Sequence, residues 1–478
     1  STQVVAWVGV GGKINFKNTT ASSFMQIDVV GWYSGAVVTA PSAPTTSGLT
    51  QSHRALKVQW GPSPKNGGSP ITGYTATALP SGKSCSVGST LSECWITDVD
   101  YGVEQTVTVK ANSKIGLTSG SSPSSKGTAF AVISADLGDN AACGVLSNNQ
   151  AACWGPNASI YGRGAYGSPH RNTSGIDWIY TADYTPLQNV SKLSVSSHHG
   201  CASTTTGRVY CWGDNVTGEI GIPALRDGSL VNAPYAVEVS PAITDATDIV
   251  VGTDYYGGGF SCAVRTGGKV SCWGSNRFGT LGSGSDSVTK VLAPTEIPGL
   301  TGVSQLTTDG MTVCSRLTAG SVKCWGLEVG TNLYQKRYNF SPSVTPFTSG
   351  VDSVVAGNQH VCVSRSGVID CIGRQVMNLN TTYFMQSQRR ILGPASVQSF
   401  AQAAADTDCV VTQTNSFWCW GANTNRILRD GTFMPNEDPT QISTALPVSK
   451  AAISDGQVCV IPTRGGYECW GGWTDSLS

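Results

Sequence analysis

The sequence predicts an all-β chain whose larger part, residues 123–478, is a seven-bladed β-propeller, and three observations lead there. Gly accounts for 57 of 478 residues and Pro for 22, so the apolar residues fall in short runs punctuated by turns, the pattern of many short strands. Sixteen cysteines form eight close pairs, at 85/94, 143/153, 201/211, 262/272, 314/324, 362/371, 409/419 and 459/469. The second cysteine of each later pair opens a fixed signature, CWG at 153, 211, 272, 324, 419 and 469 and CIG at 371, recurring every 47 to 61 residues. A period near 50 in strand-rich sequence is that of propeller blades, four-stranded sheets packed around an axis.

Lys and Arg total 30, Asp and Glu total 30, and only 13% of residues are charged. A nucleic-acid binder driven by phosphate neutralisation is excluded by that balance. No apolar run approaches the ~18 residues that a membrane-spanning helix requires. Zinc sites favour two to four residues between paired cysteines, so the wide pairs point to local disulfides and to an oxidising, secreted or cell-surface compartment. The Ser1 start fits a mature or trimmed form.

Turn geometry supports the pairing independently. If Cys201 faces Cys211 across a hairpin, a three-residue loop remains whose last residue, Gly207, must take a left-handed conformation. The same arithmetic places Asn149, Gly268, Gly320, Asn415 and Gly465 at the equivalent position, all Gly or Asn, the residues that best tolerate positive φ. The nine-spaced pair leaves Ser366 and Gly367 as a two-residue turn. The expected bridges are Cys85 to Cys94, Cys143 to Cys153, Cys201 to Cys211, Cys262 to Cys272, Cys314 to Cys324, Cys362 to Cys371, Cys409 to Cys419 and Cys459 to Cys469. Each lies within one hairpin and adds about 2.5 to 3 kcal/mol by loop entropy. The indoles of Trp154, Trp212, Trp273, Trp325, Trp420 and Trp470 are expected to pack blade on blade, with Ile372 a smaller substitute.

WGDNVTGEIG at 212–221 and WGSNRFGTLG at 273–282 resemble the repeat of the regulator of chromosome condensation (RCC1) family, and WGANTNRILRDG from 420 is a degenerate copy. His199 and His360 stand two residues before a Cys, where that family often has His, and a structural hydrogen bond is expected of both. The resemblance implies a propeller, while the disulfides argue against transferring a nuclear exchange-factor role and favour a secreted bacterial type. Because the chain ends nine residues after Cys469, the early part of SKGTAFAVISAD (125–136) is expected to supply the last strand of the seventh blade.

Residues 41–122 resemble a fibronectin type III domain: Pro41 and Pro44 at the entry, Trp60 and Tyr74 on early strands, and a VTVKAN segment near the end. Gln105 stands where that family's corner tyrosine belongs, Cys85 and Cys94 flank an expected hairpin, and SGSSPSSKG (119–127) reads as a flexible joint. Residues 1–40, with KINFKNTTASSFMQIDVVGWYSG, resemble the closing strands of a small exported β module. Either the chain is trimmed upstream, or these strands pair elsewhere, including with another copy. Seven N-x-S/T sequons begin at Asn18, Asn157, Asn172, Asn189, Asn215, Asn339 and Asn380 and read as chance in a Ser/Thr-rich chain.

No nucleophile with its base, carboxylate pair or metal cage occurs at a recognisable spacing, so neither catalysis nor a cofactor or metal is expected. Recognition is the expected activity. The first blades carry longer loops, with Tyr161, Tyr166, Trp178, Tyr180 and Tyr184 in one segment and Tyr255 and Tyr256 in the next. Aromatic loops on a rigid scaffold form recognition surfaces or pack onto their own blades. The partner expected is a protein or glycan on another surface. The alternative is a structural subunit that self-assembles into a filament or lattice through residues 1–40.

Overall fold

The computed structural model describes residues 38–478 apart from 53, 101, 139–140, 155–175, 179–186, 223–231, 286, 330–336, 358, 379–380, 392–395, 402–405, 424, 455, 464–466 and 472–478. Residues 1–37, the bulk of the expected N-terminal module, therefore lie outside the description. The fold is all-β.

Seven strands form a two-sheet sandwich: β1 (Thr45–Ser52), β2 (Ala55–Gly61), β3 (Ile71–Leu79), β4 (Ser84–Gly88), β5 (Glu93–Ile96), β6 (Glu104–Ser113) and β7 (Ser125–Thr128). One sheet runs β1-β2-β5 and the other β4-β3-β6-β7. Alternation decides which face is buried: Leu56, Val58 and Trp60 from β2 meet Tyr74, Ala76 and Ala78 from β3 and Val107, Val109 and Ala111 from β6. Gln105 is fully buried and accepts a hydrogen bond from the Ser81 amide at 3.0 Å, tying the corner where a tyrosine was expected.

Three expectations are corrected in this region. Cys85 and Cys94 are bonded but do not share a hairpin: β4 pairs with β3 and β5 with β2, so the bridge joins the two sheets, at a Cα–Cα distance of 6.2 Å. The stretch 119–127 is not a loose joint, because the buried Ser119 and Ser122 accept hydrogen bonds from the amides of Ala111 and Val109. Residues 125–128 do not complete the last propeller sheet; they form β7 and pair with β6, and Ala129 is buried in the sandwich core. Alternation explains this, since Gly127 sits against Leu49 and Gln51 of β1, an approach that only a residue without a Cβ allows.

Beyond Ala131 the chain makes seven successive antiparallel sheets. Sheet one comprises β8 (Val132–Gly138), β9 (Ala141–Leu146), β10 (Ala151–Trp154) and β11 (Ile176–Trp178), and sheet two β12 (Val190–Val195), β13 (His199–Thr204), β14 (Val209–Gly213) and β15 (Ala233–Glu238). Sheet three comprises β16 (Ala246–Thr253), β17 (Gly259–Arg265), β18 (Lys269–Ser275) and β19 (Lys290–Glu296), and sheet four β20 (Val303–Thr308), β21 (Thr312–Leu317), β22 (Val322–Leu327) and β23 (Tyr338–Val344). Sheet five holds β24 (Ser353–Gly357), β25 (His360–Arg365), β26 (Val368–Asn378) and β27 (Thr381–Ile391), and sheet six β28 (Val397–Phe400), β29 (Thr407–Thr412), β30 (Phe417–Gly421) and β31 (Asn436–Ile442). Sheet seven has β32 (Val448–Ser454), β33 (Gln457–Pro462) and β34 (Glu468–Gly471), three strands among the described residues.

First strands of neighbouring sheets pack on one another from sheet one to sheet six, β29 packs on β32, and β32 packs on β8. Val132, Leu137, Ala142 and Leu146 of sheet one share a core with Ala452, Cys459 and Ile461 of sheet seven, so the ring closes by sheet-on-sheet packing and not by an exchanged strand.

The seven remaining disulfides each join directly opposed residues of one hairpin, at Cα–Cα distances of 4.0 to 4.1 Å. The turn residues adopt the required conformation: φ is 60° at Asn149, 76° at Gly207, 71° at Gly268, 78° at Gly320 and 61° at Asn415, while Ser366 and Gly367 are both positive. Gly465 lies outside the described residues. The glycine of CWG has its own necessity. At Gly274 φ is 102°, and a Cβ would stand 2.5 Å from the Gly259 carbonyl oxygen.

Candidate functional site: an aromatic turn on sheet three

The indoles join sheet to sheet. Trp273 of β18 is fully buried in the core of sheet two, against Cys211, Ala233 and Val239, and Trp325 of β22 is buried in that of sheet three. Each donates its ring N–H to a backbone carbonyl of the preceding sheet: Trp273 to Glu219, Trp325 to Thr280 and Trp470 to Ile427, all at 2.8 Å. Each of these acceptors lies seven positions after its own sheet's tryptophan, Trp212, Trp273 or Trp420. The loop that presents the carbonyl is folded by the motif's asparagine: the side-chain oxygens of Asn215, Asn276 and Asn423 accept hydrogen bonds from the amides of Ile220, Leu281 and Leu428. Asn215 is 1% exposed, so its sequon is sterically closed to a glycan.

His199 and His360 bridge neighbouring sheets. His199 Nε2 lies 3.1 Å from Ser261 Oγ and its Nδ1 3.0 Å from Ser196 Oγ, and burial pushes its pKa down to about 3, which keeps the ring neutral. His360 Nε2 lies 2.9 Å from Asp408 Oδ2. In both cases the partner is the residue just before the first cysteine of the next sheet. Among the described residues His360, Cys362 and Asp408 are the one trio spaced for a metal, but Cys362 is bonded to Cys371 and offers no thiolate.

The exposed chemistry gathers where the turn between β16 and β17 meets the loop after β18. Asp254 is 5% exposed; it accepts hydrogen bonds from the amides of Tyr256 and Gly258 and from the Ser275 hydroxyl, which fixes the turn. The tied turn holds Tyr255 73% and Tyr256 65% exposed. Their rings meet edge to face at 5.3 Å, Tyr256 stacks on the buried Phe278 at 6.1 Å, and Phe278 meets Tyr338 at 5.5 Å. The Arg277 guanidinium lies 4.7 Å from the Tyr256 ring centre. Burial, and secondarily the neighbouring Tyr256 hydroxyl, raises the Tyr338 pKa, so Tyr338 stays a neutral donor. The result is an aromatic face anchored at its back and open at its front, flanked by a cation.

Tyr255 and Tyr256 are thus brought together as a surface. Tyr161, Tyr166, Tyr180 and Tyr184 lie outside the described residues, and Trp178 is placed by its backbone alone, opposite Ala152 in sheet one. Sequence reasoning missed Arg277 and Phe278, which sit inside the repeat motif at 273–282, and also a second exposed group, Phe433 and Met434, with Arg426 lying 4.4 Å from the Phe433 ring centre. Positions five and six of the repeat, Arg277 and Phe278, just after the motif's asparagine, were the available signal.

Residues 190–219 and 255–280 match the Regulator of chromosome condensation (RCC1) repeat. The two stretches end at Glu219 and Thr280, whose carbonyls accept the ring N–H of the next tryptophan. The propeller is RCC1-like. Protein pim1 of Schizosaccharomyces pombe is 25% identical over 154 residues, 29% of this chain and 28% of pim1. The human E3 ubiquitin-protein ligase HERC2 is 27% identical over 262 residues, 51% of this chain and 5% of HERC2. The chain therefore spans well under a third of either relative.

Among solved structures, Prp20p of Saccharomyces cerevisiae, described with its binding to Gsp1p and histones, superposes with a TM-score of 0.53 at 17% identity, covering 71% of this chain and 82% of Prp20p. Human WBSCR16 gives a TM-score of 0.53 at 15% identity, over 70% of this chain and 89% of that one. At these identities the likeness is one of fold. No helix among the described residues is long and apolar enough to cross a membrane.

Proposed function

We propose that this chain is a non-enzymatic, exported bacterial surface protein: a fibronectin type III spacer, running from about residue 41 through β7, followed by a seven-bladed RCC1-like propeller that presents a recognition surface to a protein or glycan. The observation that carries the reading is the Asp254-tied turn, which spends a buried carboxylate on holding two tyrosines 65% and 73% exposed beside Arg277. Tyr and Arg on a rigid support are the residues that dominate binding hot spots. Protein binding in RCC1-like relatives favours a protein partner, and eight disulfides with no free cysteine favour an oxidising, extracellular setting. A surface-proteome pull-down and a glycan array run with the purified chain at micromolar concentration test it, and blanks in both overturn it.

A second reading, self-assembly into a filament or lattice, is favoured by one observation. Among the described residues the outer edge of β34 in sheet seven carries no partner strand, whereas the third strand of every other propeller sheet pairs with a fourth. An unpaired edge accepts an added strand, and residues 1–40 would supply it to another copy. Sedimentation of the purified chain distinguishes the readings, because a strict monomer at high concentration removes the second.

A further inference from the structure

The ring departs from its own rule at one seam. Where sheets two and three meet, Trp273 packs on Ala233 and Val239, and where sheets three and four meet, Trp325 packs on Val291 and Ile297. Between sheets four and five the indole position is held by Ile372, and the wall facing it changes as well. Asn339 stands opposite Gly326 in β22, as Ala233 stands opposite Gly213 and Val291 opposite Gly274. Thr345 donates its amide to Val322, as Val239 does to Val209 and Ile297 to Val270. An asparagine, Asn436, also stands opposite Gly421 in sheet six, so the polar change particular to the seam that lost its indole is Thr345, where sheets two, three and six carry Val239, Ile297 and Ile442.

What remains is a cleft of about 390 Å³ lined by Cys324, Trp325, Leu327, Asn339, Thr345 and Ile372, with Arg337 beside it. Its volume lies at the lower end of the roughly 300–1,000 Å³ typical of small-ligand sites. A simple packing defect would leave apolar walls around a dry void, at a heavy cost in stability. Asn339 instead lets water occupy the space and offers a hydrogen-bonding amide to whatever displaces it, while the Thr345 hydroxyl is bound to the Val322 carbonyl and the Phe347 amide.

We propose that this cleft is a binding slot for a planar aromatic group of indole size, entering where every other described seam of the ring is filled by the chain's own tryptophan or, at Trp154, by a residue whose side chain lies outside the description. The ring stacks on the Cys324 side of sheet four against Ile372, and its polar edge meets Asn339. Two sources share this chemistry, a free indole-type molecule and a tryptophan side chain of a partner polypeptide. The slot shares Leu327 with the Phe278 and Tyr338 packing behind Tyr256, and it is told apart from the Tyr255 and Tyr256 surface by plugging it at Ile372.

The test uses the full chain with indole and with N-acetyl-tryptophanamide as probes, read by saturation-transfer NMR and calorimetry. For ligands of this size a Kd of about 0.1 to 1 mM is expected. Ile372→Trp fills the slot from within and is expected to weaken both probes at least about tenfold while raising Tm, and Ile372→Phe serves as a smaller plug should the Trp variant fail to fold. Binding of indole alone assigns the slot to a free molecule, and binding of both probes opens it to a polypeptide side chain. The proposal is overturned by an absence of saturable binding up to about 10 mM, or by affinities that neither plug changes.

Discussion

Trp273 gives its indole N–H to the carbonyl of Glu219 at 2.8 Å, so a side chain of sheet three completes a backbone loop of sheet two. The bond recurs from Trp325 and Trp470. Trp212 and Trp420 depart from the series: both are buried, but neither ring nitrogen has a partner among the described residues.

That difference is measurable. Trp273→Phe should cost about 2 to 3 kcal/mol, from the smaller ring and the orphaned Glu219 carbonyl. Trp420→Phe should cost about 1 kcal/mol less, because no bond is lost. Urea unfolding of both variants gives the comparison, and equal costs would deny the hydrogen bond its role.

The CWG glycine is held by space as well as by φ. Gly274→Ala places a Cβ 2.5 Å from the Gly259 carbonyl at a φ of 102°, whereas Gly299→Ala, at a φ of 70°, meets nothing within 4 Å. The expected costs are about 3 kcal/mol or more for Gly274→Ala and about 1 kcal/mol for Gly299→Ala. Thermal melts of the two variants check the ordering.

In the degenerate sixth repeat, Arg429 occupies the position of Gly221 and Gly282, nine after the tryptophan, with a φ of 49°. Its guanidinium lies 4.0 Å from the Trp470 ring centre and 2.7 Å from Glu468. The substitution thus clamps the seam between sheets six and seven. Arg429→Ala should cost about 1 kcal/mol and speed hydrogen exchange in β34 more than in β14.

His199 makes the ring acid-sensitive. Its folded pKa of about 3 lies below the ordinary 6.5, so between those values the unfolded chain binds the extra proton and stability falls as pH drops. The slope from this group is at most about 1.4 kcal/mol per pH unit. Asp136 opposes it: burial raises its pKa to about 6, so from pH 6 down toward 4 the folded state takes up the proton and gains. His199→Gln should therefore lose less stability than the parent chain between pH 6.5 and 4, and parallel curves would contradict the buried neutral imidazole.

The repeats were legible because their constraints are local. A Cys pair ten apart with Gly or Asn at the turn leaves one hairpin geometry, and Asn149, Gly207 and Asn415 adopt it. Cys85 and Cys94 misled because equal spacing does not reveal that β4 and β5 belong to opposite sheets. The segment 125–128 misled for a similar reason: a short strand fits any open edge by pattern, and Gly127 against Leu49 chose the sandwich. At the site, Tyr255 and Tyr256 were visible as aromatics in a loop. Their exposure depends on the Asp254 hydrogen bonds and on Phe278 beneath, which only the fold brings together.

The recognition surface is tested most directly by Tyr255→Ala combined with Tyr256→Ala. Both rings are more than half exposed and the turn is held by Asp254 through backbone amides, so the fold should persist, with Tm lowered by about 2 to 4 °C for the lost Tyr256 contacts to Phe278 and Arg277. Retention of the protein or glycan captured by the parent chain should fall at least about tenfold, the loss expected of paired aromatic hot-spot residues. Equal retention by the folded double variant and the parent chain would contradict the assignment of this turn as the binding surface.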